Sequence, residues 1–405
     1  MGLVTARMRG QQVWKRICQG EFELRTRSIG LVATIMMVLP ALALSAPASA
    51  ETLPDSWTVM FYMDGDNNVE SYALMDLDEL EMTGSSTDVN FVVLLDTLGE
   101  PANLLYVNKG SSSTVAAWGE VNMGDPATLT RFITDSMTLY PANNYALVVW
   151  DHGGGILGIC WDETSSSDKL TMAEFRSGIA SAGVSFDVLV LNACVMATAE
   201  VAHQVQGYAD YVIFSQENMW ALGFPYDKIS AKMVAAPTMN GLTASLMMAQ
   251  EYRDYYISIG YNGVTISVYD TAYLGSVAEA VKNFGSAMKA TMSTYYRTYR
   301  SLRMSTPDPN NQADLIRFAQ LVSASTAITS STVKGAASAV ISAVDGAIIY
   351  EWHSSDVANE NGLGIWFPLK SRTSWTSSVE TMYRALPFGI ATGWADFLDT
   401  YYNKG

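Results

Sequence analysis

Phe186-Asp-Val-Leu-Val-Leu-Asn-Ala-Cys194 is a short apolar run, rich in residues that favour strands, and it ends on a cysteine. Turn-forming residues at Ala182-Gly183-Val184-Ser185 precede it, so it reads as a buried strand of a parallel sheet. Past Cys194 the chain continues Val-Met-Ala-Thr-Ala-Glu-Val-Ala-His203, and these alanines and spaced apolar residues predict a helix packed back on the sheet. Cys194 then stands at a strand-to-helix junction on the carboxyl edge, where open α/β sheets gather their ligands. The positive end of a helix starting there would favour a thiolate, and the position suits a nucleophile.

Working outward, Trp57–Met63, Val89–Leu95 and Tyr145–Asp151 read as further strands, with helical patterns near residues 70–81 and 127–140. This alternation predicts an α/β fold built on a mainly parallel twisted sheet with helices on both faces. The third strand runs into His152-Gly-Gly-Gly155, so His152 and Cys194 come to one sheet edge if their strands are parallel neighbours. The other two histidines fit less well. His203 falls inside the helix after Cys194, and His353 follows Ile348–Trp352, read here as the end of a helix. Glycines 153–155 let backbone N–H groups approach a substrate carbonyl without a Cβ in the way, as an oxyanion hole requires. Loss of one such donor costs ~3 kcal/mol of transition-state stabilisation. The spacing Asp64-x-Asp66-x-Asn68 begins like a calcium loop, but Val69 replaces the glycine and Met75 the bidentate glutamate. It reads instead as an Asx-rich turn and helix cap.

Residues 1–28 carry Arg7, Arg9, Lys15, Arg16, Arg25 and Arg27 against Glu21 and Glu23, and an apolar run Ile29–Leu44 and Ala48-x-Ala50 follow. This is the pattern of a secretory signal cut between Ala50 and Glu51. Its apolar run is shorter than the roughly twenty residues that span a bilayer. No second such run follows, so an exported, soluble chain with no stable membrane span is expected. Removal of the leader leaves 18 basic against 38 acidic residues and a formal charge near −20, which argues against nucleic acid as a partner. Cys18 leaves with the leader. Cys160 and Cys194 could form one disulfide, but a domain of this size needs no such staple, and Cys194 is read as free. Residues 51–230 form the expected sheet core, and 231–405 an α-rich supporting region that continues the same fold. That region reads as helices near 241–256, 271–300 and 332–350, a strand Val264–Asp270, a helix opening at Asn311 or Gln312, and a closing helix Trp394–Tyr402.

Trp57 to Asn68, Tyr145-Ala-Leu-Val-Val-Trp-Asp-His-Gly-Gly-Gly155 and Leu189-Val-Leu-Asn-Ala-Cys-Val-Met-Ala197 together resemble the clostripain family of secreted cysteine peptidases, which share the caspase-like fold. Ser215-Gln-Glu217, Gly223-Phe-Pro-Tyr226, Val264–Asp270 and Gly364-Ile-Trp-Phe-Pro368 extend the likeness from about Trp57 to Tyr402. The resemblance implies a cysteine endopeptidase acting on protein or peptide substrates through a Cys–His dyad. Cys194 would attack as thiolate, His152 would protonate the leaving amine, and the Gly153 and Cys194 amides would hold the oxyanion. No third orienting residue is implied, and no cofactor. A calcium requirement occurs among similar enzymes, but the acidic loops do not assign one here. Such enzymes cut after Arg or Lys, helped by an acidic residue two before the cysteine; here that position is Asn192. Glu217, just past the strand Tyr211–Ser215, could supply the missing charge. Self-cleavage in the loop between the two catalytic strands is also implied, and Lys169 is the only basic residue between His152 and Arg176. Two other readings stay open at this stage: a binding module with an idle site, and a hydrolase of small amides.

Overall fold

The computed structural model describes residues 56–369 and 374–404, so the leader read from residues 1–50 lies outside the described part. In chain order the strands begin with β1 (Trp57–Gly65), β2 (Val89–Thr97), β3 (Ala102–Asn108), β4 (Ser111–Gly119) and β5 (Asn144–Trp150). A small hairpin follows, β6 (Ile159–Asp162) and β7 (Asp168–Leu170), then β8 (Phe186–Asn192) and β9 (Ala209–Phe214). Four more complete the described set: β10 (Thr265–Asp270), β11 (Gln312–Asp314), β12 (Ile348–His353) and β13 (Gly364–Trp366). Nine of these form one sheet in the order β12-β10-β9-β8-β5-β1-β2-β3-β4. Its centre, from β9 to β2, is parallel, and antiparallel pairs close both sides.

The central strands are apolar on both faces, so both must be covered. Leu147, Val149, Leu189 and Leu191 point into one layer, and Ala146, Val148, Val188 and Val190 into the other. The first layer is filled by α2 (Pro126–Leu139), α3 (Met172–Ala182) and α4 (Ala199–Val205) through Phe132, Phe175, Ile179 and Val201. The second is filled by α1 (Glu70–Thr83), α5 (Tyr226–Ala235) and α6 (Gly241–Ile259) through Leu80, Met233, Met248 and Tyr252. Full burial of each such side chain stabilises the fold by roughly 1.5–3 kcal/mol. Local signals agree with these starts. Asp125 accepts from the Ala127 N–H ahead of Pro126, and Thr171 and Glu174 form a reciprocal capping box.

The later helices are α7 (Leu274–Ala290), α8 (Met292–Met304), α9 (Leu315–Ala324), α10 (Ser331–Ala347), α11 (Ser377–Ala385), α12 (Pro387–Thr392) and α13 (Trp394–Tyr402). Three expectations need correction. The helix read over 332–350 stops at Ala347, and Ile348–His353 pairs antiparallel with β10, so His353 ends an edge strand. A run of Ile, Ile, Tyr and Trp fits a pleated surface better than a helix. The helix expected at Asn311 or Gln312 opens at Leu315, because Gln312–Asp314 pairs with β13 and the Asp314 carboxylate caps the Arg317 N–H at 2.6 Å. The single helix read over 271–300 is two, divided at Thr291.

Candidate active site

Parallel pairing of β5 with β8 places Trp150 opposite Asn192. His152 and Cys194 each lie two residues beyond this matched pair, so the register brings them to the same edge at the same height. Both line one cleft of about 130 Å³, together with Trp150, Asn192, Met219 and Trp220. The Cys194 thiol donates to the Met219 carbonyl at 3.6 Å. The Gly153 backbone acts on the same sulfur, favouring its charged form. Gly153 tolerates no side chain: a Cβ there would lie 2.4 Å from the Cys194 carbonyl oxygen and 2.9 Å from its nitrogen. Cys160 is buried and, like Cys194, free.

The helix does not begin at the cysteine. Thr198 caps α4 by accepting from the Val201 N–H, so the helix starts five residues past the sulfur. Influence of a helix terminus fades within about one turn, and the expected dipole support for a thiolate is absent. A tight turn takes its place, with Val195 at φ 53°, a strained conformation for a β-branched residue. The strain is held from several sides. The Val195 N–H donates to the Glu217 carbonyl at 3.1 Å, the Gln312 amide donates to the Val195 carbonyl at 3.1 Å, and the Ala197 N–H donates to the Ser215 carbonyl at 2.8 Å.

Burial pushes the Cys194 thiol above its ordinary range, and the Asp151 charge adds to this, against the contacts at Met219 and Gly153. Burial also pushes the His152 imidazole below its ordinary value, opposed by Glu163. Both shifts favour the uncharged forms, the thiol and the neutral ring. His152 Nε2 lies 2.8 Å from Asn68 Oδ1, which can only accept, so Nε2 carries the ring proton and Nδ1 keeps its lone pair. Beneath the histidine, buried Asp151 accepts from Asn67 Nδ2 at 2.7 Å and from the Trp161 N–H at 2.5 Å. Burial raises its pKa to about 8. These bonds tie the loop after β1, the end of β5 and the β6–β7 hairpin into one support.

Asn192 lies in the cleft wall. Its amide and the Asp76 carboxyl converge on Gly223, where a Cβ would come within 2.9 Å of Asn192 Nδ2 and 3.3 Å of Asp76 Oδ2. Trp150 Nε1 donates to Asp76 at 2.7 Å. Glu217 is not among the residues lining the cleft; its carboxyl meets that of Glu360, whose pKa burial and this neighbour push up to about 10. Lys169 sits in the second strand of the β6–β7 hairpin, paired with Trp161, its ammonium 5.0 Å above the Trp161 ring. Asn68 and Asp76 were not singled out from sequence. For Asp76 a signal existed: it shares the inward face of α1 with Ala73 and Leu80, an acid where an apolar residue belongs. For Asn68 there was only its place in an Asx-rich turn.

A family model described as "Clostripain family" matches residues 61–401. Clostripain of Hathewaya histolytica is 30% identical over 292 residues, which cover 56% of this chain and 55% of that protein, so the match spans about half the length of the curated relative. Two solved structures resemble the fold over 84% of this chain and 99% of theirs, each at 22% identity. One is a secreted C11 cysteine protease from Bacteroides thetaiotaomicron in complex with an irreversible peptide inhibitor, with a TM-score of 0.67. The other is an inactive zymogen C11 protease from Parabacteroides distasonis, with a TM-score of 0.65.

Proposed function

The chain belongs to the clostripain family, and on that premise we propose that it is a secreted cysteine endopeptidase whose reacting groups are Cys194 and His152. The observation that carries this is their matched position on neighbouring parallel strands, opening into one cleft. In the resting pair, His152 Nδ1 is the ring's free base. It takes the thiol proton as sulfur attacks the scissile carbonyl, and the imidazolium then delivers that proton to the leaving amine. Water hydrolyses the resulting thioester with the ring again acting as base. The amides of Gly153 and Cys194 receive the developing oxyanion, a role supported by the absence of any Cβ at Gly153. Cys194→Ala and His152→Ala are each expected to abolish hydrolysis with nearly unchanged thermal unfolding; turnover in either variant removes the mechanism. Labelling of Cys194 by a peptidyl acyloxymethyl ketone separates an enzyme from an idle binding module.

A basic P1 residue is part of this reading, received by the Asn192 amide oxygen, with Glu217, three residues past β9 and outside the cleft lining, adding charge at longer range. A P1-scanning peptide library tests it. Loss of the Arg/Lys preference in Glu217→Gln supports the assignment, and an unchanged preference removes Glu217 from it. Self-processing after Lys169 is proposed as well. Because Lys169 is paired within a hairpin, cleavage requires β7 to peel away from β6 first. Two fragments from the wild type and one band from Cys194→Ala are the expected result on a denaturing gel.

A further inference from the structure

We propose that Asp76 is the charged floor of the P1 pocket, and that the pocket takes lysine in preference to arginine. This rests on the peptidase reading with its basic P1 residue, and names the group and the cation that complete it. Asp76 projects from the inward face of α1 beside Ala73 and Leu80, and is itself fully buried. Its Oδ2 accepts from Trp150 Nε1 at 2.7 Å, while its Oδ1 is buried with no partner. The buried Tyr226 hydroxyl nearby gives it no hydrogen bond. Among the described residues no ion pair reaches it. A buried carboxyl with an orphan oxygen is costly to hold, and packing alone gives no reason to keep one on a helix face.

The acid stands behind the cleft that holds Cys194. Trp150, Asn192 and Gly223 all line that cleft. Trp150 bonds the acid, and a Cβ on Gly223 would lie 3.3 Å from Asp76 Oδ2 and 2.9 Å from Asn192 Nδ2, so the acid, the amide and the cleft wall meet at one point. Asn192 offers an oxygen without charge, and Asp76 offers the charge one step deeper. Burial pushes the Asp76 carboxyl well above its ordinary range, with the Trp150 bond opposing and Glu79 adding. An ammonium brought to bonding distance favours the ionised form, and the displaced proton leaves to solvent. The choice between the two basic residues follows from what is left free. Arginine pairs best with a carboxylate whose two oxygens accept side by side, and Trp150 already holds one of them. Lysine is a compact point charge with three donors, which Asp76 Oδ1 and Asn192 Oδ1 can share. A cleft of about 130 Å³ also suits the slimmer head group.

The test uses the full active chain and peptides that differ only in lysine, arginine or norleucine at P1, with kcat and KM measured for each. Lysine should exceed norleucine, which keeps the stem and lacks the charge, by about a hundredfold or more in kcat/KM. It should exceed arginine by about tenfold, the worth of one charge-assisted hydrogen bond. Asp76→Asn keeps an acceptor for Trp150 Nε1 and should bring the lysine-to-norleucine ratio close to one, a change that a purely structural role would not produce. Glu217→Gln, which removes a charge further off, should lower the ratio less. A wild-type ratio surviving in folded Asp76→Asn, or arginine cleaved as well as lysine by the wild type, would overturn the proposal and leave the basic-P1 reading standing. A lysine-to-norleucine ratio near one in the wild type would overturn both. The order of lysine and arginine is read on the wild type alone, so refutation does not depend on the variant folding.

Discussion

Asn68 fixes which nitrogen of His152 is free to move a proton, and this gives a prediction in pH. The ring must be neutral to accept the thiol proton, and burial keeps it neutral to lower pH than usual. The acid limb of kcat/KM should therefore fall below the ordinary histidine value, and the plateau should run to high pH because Cys194 is held protonated. Asn68→Asp would set a carboxylate against Nε2 and favour the imidazolium, so the acid limb should move up by about one unit or more. An unmoved limb would mean that Asn68 does not act on the ring. Gly153→Ala forces a Cβ to within 2.4 Å of the Cys194 carbonyl oxygen, and kcat should drop by roughly a hundredfold with the oxyanion donor displaced. At this scale the sulfur and the ring were legible in the sequence, because residue type and a strand end suffice to place them. The roles of Asn68 and Asp76 depend on where a loop and a helix face come to rest, which spacing does not encode.

Among the elements, α4 is too short to hold itself and relies on Glu200 for anchorage. One oxygen of this buried carboxyl accepts from the Trp366 N–H at 2.9 Å and from the Tyr383 hydroxyl at 2.6 Å, joining α4 to β13 and α11. Burial raises its pKa to about 7 against these bonds. Between the unfolded carboxyl value and about 7 the native state binds the extra proton, so stability declines as pH rises through that window. Glu200→Gln keeps the acceptor and removes the titration. In the Cys194→Ala background it should equal its parent near pH 4 and exceed it by roughly 1–3 kcal/mol at pH 8, read from denaturant unfolding. The central strands were legible as apolar runs bounded by turn residues. The β12 strand was not, since Asp345-Gly346 lies inside the last turn of α10, the strand follows the helix directly, and apolar spacing continued across the boundary. The turn at Val195 was hidden for a different reason: it is imposed by contacts from Glu217 and Gln312, far along the chain.

Over the whole molecule, the sheet does not end where the sequence core was drawn. β10 and β12 complete it from beyond residue 230, and Gln312 reaches back to brace the turn after the catalytic cysteine. A chain ending at Ala236 would bare the β9 edge and lose the cover that α6 and α7 give to the sheet through Tyr252, Val281 and Phe284. Such a fragment should fail to give a cooperative melt and should bind a hydrophobic dye; a sharp transition would mean that the first 230 residues fold alone.

Because β5 and β8 are the middle of that sheet, with further strands on either side, the sulfur and the imidazole ride on strands whose amide hydrogens should be among the slowest to exchange. Loosening at the periphery leaves their spacing intact. Heat should then extinguish turnover only at the temperature where the entire body gives way, with no earlier range in which an intact shell has already gone silent.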